Sequence, residues 1–238
     1  MQLRRNPGLI VSLVLAAHPV QALVIALGVA VAALVSGRDW REVGLVFVTV
    51  LIGRATYGWL NDVVDRERDI AVERQSKVLV REWVDRGTLT FATAVAVCFL
   101  VPLSIANGTL AGLFHLGSVF AAWLYNAKLK TTPLSFLPWA LSFALLPPFL
   151  SYGGWGGGVH GSAPEWVMVA LAAFLGVCVH FLDALPDLVE DNRNGVRSLP
   201  LVIALKVGAQ PLLWVMLLLT AATIGGLVYA GLTVGLEA

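Results

Sequence analysis

The chain has 238 residues, 58% hydrophobic and only 13% charged, with a formal net charge of +1. A mean hydropathy of +0.81 is too high for a water-soluble domain of this length, and the near-neutral charge removes any case for nucleic-acid binding. Several apolar runs reach the roughly 20 residues a helix needs to cross a bilayer, and period-two strand patterns are absent, which argues against a membrane barrel. The expected class is therefore an all-α, polytopic helical membrane protein, a single transmembrane domain over residues 1–238. Cys98 and Cys178 stand singly inside apolar runs, without metal spacing, and read as packing.

In chain order, Arg4 and Arg5 precede a first apolar run, Leu9 to Val35, too long for a cleavable leader and so read as a retained span. His18-Pro19 should kink it, and His18 serves either a cavity or the local backbone. A short polar loop, Gly37 to Glu42, leads to a second span, Val43 to Leu60. Arg54 lies within that span, two turns before Asn61; a charge at that depth either faces a polar interior or snorkels to the interface. A charged segment follows to Gly87, and Val78-Leu79-Val80 with Trp83-Val84, set among Lys77, Arg81, Glu82 and Arg86, predicts a short amphipathic helix on the membrane surface or over a cavity. Further spans are expected at Thr88–Ile105, Thr109–Tyr125, Leu134–Tyr152, Glu165–Leu182 and Pro211–Leu232. A tight turn at Asn107-Gly108 separates the third span from the fourth. The glycine-rich stretch Gly153 to Pro164 lacks the lysine of a phosphate loop and reads as a flexible linker. Pro186 should break or restart the sixth helix.

Two acidic clusters stand out. Asp62, Asp65 and Asp69 are spaced i, i+3, i+7, which puts three carboxylates on one helical face. Asp183, Asp187 and Asp191 follow the sixth span with an even spacing of four. Like charges this close repel unless cations bind between them. The alternative is solvated loop charge balanced by nearby arginines, and the doubling of the pattern counts against it. Mg²⁺ prefers oxygen ligands and is typically held by one or two carboxylates plus substrate phosphates. Two clusters facing each other would hold Mg²⁺ around a diphosphate, with Arg74, Lys77, Lys128 and Lys130 on the remaining phosphate oxygens. The greasy tail of an isoprenoid diphosphate would lie between helices, and its allylic cation needs a dry, aromatic cavity. Tyr57, Trp59, Trp123, Trp139 and Phe143 are candidates for its walls or plain core.

The basic residues set an expected orientation. With the N-terminus inside, thirteen Lys and Arg fall on the cytoplasmic side and only Arg38 and Arg41 outside. Both acidic clusters and the Lys128/Lys130 loop then share the cytoplasmic mouth.

Asn61-Asp62-x-x-Asp65-x-x-x-Asp69 resembles the first aspartate motif of the UbiA superfamily of intramembrane prenyltransferases, and Asp183-x-x-x-Asp187-x-x-x-Asp191 resembles the second. The Tyr125–Lys130 loop, Gly195-x-Arg197-Ser198-Leu199-Pro200 and Arg54 are also similar to family features, so the likeness runs from about His18 to Gly208. It implies a ring of helices around a central cavity, with Asn61, Asp62, Asp65, Asp69, Asp183, Asp187 and Asp191 as metal or diphosphate ligands. Asp62, Asp65, Asp183 and Asp187 would carry the ionisation, with Tyr125 near the reacting carbon; Arg54, Arg74, Lys77, Lys128, Lys130 and Arg197 would bind substrate. The implied reaction is Mg²⁺-dependent transfer of a prenyl group to a lipophilic, typically aromatic, acceptor in the bilayer. Two departures matter. Members usually have nine transmembrane helices against seven expected here, so either the chain ends early or lipid, a second copy or another protein closes the cavity. Val78 also replaces the proline that usually follows the basic residue at Lys77, which bears on the lid and the acceptor.

Two other functions fit the same clusters. A terpene cyclase of this superfamily would keep the ionisation and let the chain's own double bonds capture the cation. A transporter or a non-catalytic lipid-diphosphate-binding subunit would use the acids as an ion path, although no inverted repeat is visible and the acids lie at one mouth instead of the midplane.

Overall fold

The computed structural model describes residues 6–155 and 161–236. The described residues are helical, with no strand. Arg4, Arg5 and the part of the glycine-rich linker at 156–160 lie outside them. Six helices are long and apolar enough to cross a membrane, or seven counting the bent pair at the start of the chain.

That bent pair is α1 (Leu9–Ala16) and α2 (Pro19–Val35), which meet at 62°. Pro19 stands at the first position of α2, where its missing N–H costs nothing. His18 takes up the bend in the left-handed region at φ 51° and ψ 62°, a conformation that costs a non-glycine residue about 1–3 kcal/mol. The first apolar run is thus bent at His18-Pro19 as expected, and α1 packs Ala16 and Leu13 against Val78, Leu79, Val84 and Leu89.

The second span and the first aspartate cluster are one continuous helix, α3 (Trp40–Ala71), capped by Asp39, which accepts from the Arg41 N–H. Its 32 residues at 1.5 Å each give about 48 Å, more than a bilayer core, so its last turns carry the acids to the membrane face. The following segment, 72–85, is a succession of turns with no helix. The expected amphipathic helix is therefore absent. Lys77, Val78 and Leu79 are buried one after another, a pattern no helical face can produce, and Glu73 and Glu82 hold positive φ.

Helices α4 (Arg86–Ala106) and α5 (Thr109–Leu124) form a hairpin about Asn107 and Gly108. Gly108 turns the chain at φ 120°. Helix α5 ends in a π-helical turn, Tyr125–Leu129. The fifth span is broken into α6 (Phe136–Ala144) and α7 (Leu146–Ser151), because Pro147 and Pro148 cannot continue α6. The sixth is α8 (Trp166–Ala184), followed as expected by a break at Pro186 and the short α9 (Leu188–Arg193). Helices α10 (Leu199–Val207) and α11 (Ala209–Thr233) complete the described chain.

Successive spans pack as neighbours: α2 on α3, α3 on α4, α4 on α5, α5 on α6, α6 on α8, and α8 on α11. Glycines permit the closest crossings, as small residues do between membrane helices. A Cβ on Gly58 would fall 2.7 Å from the Ala17 carbonyl carbon, and one on Gly112 would fall 2.7 Å from Ser104. The core where α2, α3, α5, α6 and α8 meet is aromatic, with Tyr57, Tyr125, Trp139 and Phe143 buried together. The loops 72–85, 125–135 and 185–198 all gather at one end of the bundle.

Candidate active site

The site is built at that end, where the C-terminal parts of α3, α5 and α8 open on a cavity of about 70 Å³. Its walls are His18, Tyr57, Asn61, Arg74, Lys77, Tyr125, Lys130, Asp183, Ala184, Asp187 and Asp191. One arginine shows that the two aspartate clusters converge. Arg74 lies 3.3 Å from Asp69 of the first, pairs with Asp187 of the second and reaches Glu190 at 2.9 Å. Burial alone would lower the Arg74 pKa, but the hydrogen bond and charge of Asp187, with Asp69 and Glu190, more than offset this and push it up.

The first cluster faces inward because α3 presents it on one side: Asn61, Asp62, Asp65 and Asp69 are all buried. Buried carboxylates need partners, and basic residues from three segments supply them. Lys77 Nζ donates to Asp62 Oδ1 at 2.6 Å and to Asn61 Oδ1 at 3.0 Å. It also lies 3.1 Å from His18 Nε2; an ammonium carries no acceptor, so that nitrogen accepts. Lys130 pairs with Asp65, and Arg68 stands 3.2 Å from the other Asp65 oxygen. Asn61 is an amide for a reason: its oxygen accepts from Lys77 while its Nδ2 donates to Asp65 Oδ2 and Asn126 Oδ1, each at 3.1 Å. A carboxylate there could only accept.

The π-helical turn sets the register of Asn126 and Lys130. Its closing bond runs from the Lys130 N–H to the Tyr125 carbonyl at 2.9 Å. The extra residue in that turn lets Asn126 point at Asn61 and at the Tyr57 carbonyl, 3.0 Å away, while Lys130 still reaches Asp65. Such one-turn widenings are common at functional sites.

Beneath the polar mouth lies an aromatic box. Trp139 meets Tyr57 and Tyr125 edge-on, with centroids 5.7 and 5.8 Å away, and stacks on His180 at 5.8 Å. The Arg54 guanidinium sits over Tyr57 at 4.4 Å and Trp139 at 5.2 Å, cation–π geometry, so Arg54 faces the interior and does not snorkel. Gln21 of α2 links it to the mouth: Gln21 Oε1 accepts from Arg54 at 3.1 Å, and Gln21 Nε2 donates to Asp183 Oδ1 at 2.7 Å. A second, smaller cavity of about 20 Å³ continues below Tyr57 and Arg54 between Gly53, His115, Val119, Ser142 and Phe143.

A profile of the UbiA prenyltransferase family matches residues 22–237. The chain belongs to the UbiA prenyltransferase family. It is accordingly an integral membrane prenyltransferase. Solved structures share the fold. A UbiA homologue from Archaeoglobus fulgidus bound to GPP and Mg²⁺ superimposes with a TM-score of 0.70 at 19% identity, covering 93% of this chain and 78% of that one. The same organism's homologue bound to Cd²⁺ gives 0.68 at 15% identity, over 95% and 90% of the two chains. A structure of digeranylgeranylglyceryl phosphate synthase gives 0.61 at 17% identity, over 94% and 87%. No curated protein matches by sequence.

Of the residues expected at the UbiA site, Asn61, Arg74, Lys77, Tyr125, Lys130, Asp183, Asp187 and Asp191 line the cavity, and Asp62, Asp65 and Asp69 stand directly behind through their lysine and arginine partners. Lys128 and Arg197 do not join them. Both are exposed, and Arg197 turns its guanidinium to the neighbouring Val196 carbonyl. Of the aromatic candidates, Tyr57, Trp139 and Phe143 form the box. Trp59 instead points to α1 and donates to the Leu13 carbonyl at 2.8 Å, and Trp123 lies outside the buried aromatic cluster. Gln21, Asn126, His180 and Glu190 belong to the site without having been singled out. The one signal each carried was a polar side chain in or beside an apolar run.

The donor set suits a hard divalent ion. Asp69 Oδ2 is buried without a hydrogen-bond partner among the described residues, Asp65 Oδ1 has the Arg68 ion pair at 3.2 Å but no hydrogen bond, and carboxylate oxygens are what Mg²⁺ prefers. Among those residues no three acidic, histidine or cysteine side chains converge as a ready-made cage. The carboxylates are held instead by Lys77, Lys130 and Arg74.

Proposed function

We propose that this chain binds a prenyl diphosphate with Mg²⁺ at the mouth formed by the two aspartate motifs and transfers its prenyl group to a lipophilic acceptor of aromatic class. The observation that carries the reading is Arg74, which touches acids of both motifs across one cavity. The donor oxygens of Asp62, Asp65, Asp69, Asp183, Asp187 and Asp191, with Asn61, would hold the metal. Bound Mg²⁺ supplies positive charge that stabilises the departing diphosphate.

The chain's own residues do the rest. Arg74, Lys77 and Lys130 exchange their carboxylate partners for phosphate oxygens, fixing the leaving group by charge-assisted hydrogen bonds. The C1–O bond breaks with its electron pair going to the diphosphate. The allylic cation is met by the aromatic rings that line the cavity, Tyr57 and Tyr125. A bond then forms from the acceptor to C1, and the acceptor loses a proton. Val78, Leu79 and Val84 seal the 72–85 segment against α1 and exclude water, which would otherwise capture the cation.

The mouth faces the cytoplasm in this reading, since thirteen of the basic residues fall on its side against Arg38 and Arg41 on the other. Purified protein incubated with labelled C10, C15 and C20 diphosphates, Mg²⁺ and lipid extract should release diphosphate and yield a prenylated lipophile by mass spectrometry. A cyclic hydrocarbon formed without acceptor would indicate a cyclase, and binding without turnover would remove the enzymatic reading.

A further inference from the structure

The bent segment between α1 and α2 lies ahead of the family match, which begins at residue 22, yet it places one side chain on each aspartate motif. His18 stands 3.4 Å from Asp62. Gln21, in the first turn of α2, bonds Asp183 at 2.7 Å and Arg54 at 3.1 Å. Its chemistry at that point is uniquely specified. Asp183 can only accept and a guanidinium can only donate, so the carboxamide must turn its NH₂ to the acid and its oxygen to the arginine. A glutamate would satisfy Arg54 alone, a leucine neither, and an asparagine is one methylene too short to span them.

We propose that Gln21 is a positioning residue for prenyl transfer, holding the first acid of the second motif toward the cavity, and that the left-handed turn at His18 is what brings it there. The geometry supports this from both ends. Gly58 stands one turn before Asp62 on α3, and any side chain there would strike the backbone of Ala16 and Ala17 at 2.7 to 2.9 Å. The bend is therefore seated against the same helix that carries the first motif. Pro19 prevents α2 from extending back through it. Asp183 leaves the end of α8, just before the break at Pro186, so its own helix restrains it from one side only. Gln21 supplies the other restraint.

The inference rests on the reading of the site as a Mg²⁺–diphosphate mouth, and the test separates the two. The full-length chain in detergent is titrated with Mg²⁺ while binding of geranyl S-thiolodiphosphate, which resists ionisation, is followed; melting temperature and prenyl transfer are measured alongside. Gln21→Glu and Gln21→Leu should each raise the half-saturating Mg²⁺ by on the order of tenfold or more, as loss of a residue that orients a metal ligand does. Gln21→Glu keeps its bond to Arg54 but sets a second carboxylate against Asp183, so it should melt below wild type with chelator and recover in Mg²⁺. Wild-type affinity in Gln21→Glu with a loss only in Gln21→Leu would mean that the residue merely supports Arg54, and would overturn the proposal. Wild type that binds the probe but prenylates nothing would refute transferase activity while leaving the Gln21 comparison readable. Wild type that binds no probe at any Mg²⁺ concentration would remove both.

Discussion

Replacing Lys77 by methionine removes one positive charge while keeping most of the side-chain volume. Its ammonium holds Asp62 at 2.6 Å, and Asp62 is 2% exposed, so water cannot take over. Removing one partner of a buried pair typically costs about 3–5 kcal/mol. His18 stays 3.4 Å from Asp62 and Lys77 is not itself completely sealed, so the lower end, about 3 kcal/mol, applies here. The stranded carboxylate then needs another cation, and Mg²⁺ can serve. Equilibrium unfolding of wild type and Lys77→Met in mixed micelles, with chelator and then with Mg²⁺, reads this directly. The deficit of about 3 kcal/mol should appear with chelator and shrink by at least half in Mg²⁺. Losing a charge-assisted bond to the diphosphate, about 1.5–3 kcal/mol, should also lower kcat/KM roughly 10- to 150-fold. An unfolding deficit indifferent to Mg²⁺, or none at all, would refute the idea that lysine and metal compete for the same acids.

Gly58→Val drives a side chain into the carbonyls of Ala16 and Ala17, backbone atoms 2.8 and 2.9 Å from the new Cβ. It should cost about 1–3 kcal/mol and most of the activity, whereas Gly28→Ala, with nothing within 4 Å, should melt and turn over like wild type. Lys130→Ala should raise KM for the prenyl diphosphate by roughly tenfold or more for a lost charge-assisted bond, while Lys128→Ala and Arg197→Ala, both exposed, should leave it within about twofold. Tyr125→Leu should divert prenyl groups from product to free prenol, measured as their ratio, because the cation then loses about 1–2 kcal/mol of π stabilisation from a ring that lines the cavity.

The membrane helices were legible because an apolar run about 20 residues long has few other fates. The acidic faces were legible because i, i+3, i+7 on a helix leaves no choice of side. The bend at His18 could be foreseen from Pro19, although not how α1 would pack, which depends on Leu13 and Ala16 finding the 72–85 segment. That segment misled because Val78, Leu79 and Val84 imitate an apolar helical stripe, while their burial is set by packing against Leu13 and Ala16 of α1, Trp59 and Val63 of α3 and Leu89 of α4. Lys128 and Lys130 were indistinguishable in sequence. The π-helical turn separates them, aiming Lys130 inward and leaving Lys128 in solvent. Gln21 and Asn126 carried little signal, since an uncharged amide beside an apolar run gives no hint of which distant acid or amide it will meet.

The central claim, that the two aspartate motifs act as one site, is tested most directly by equilibrium binding of geranyl S-thiolodiphosphate at saturating Mg²⁺ to wild type, Asp65→Asn and Asp187→Asn, each checked for folding by circular dichroism. The account predicts that either substitution alone abolishes metal-dependent binding. Full affinity in one of the two variants would contradict it.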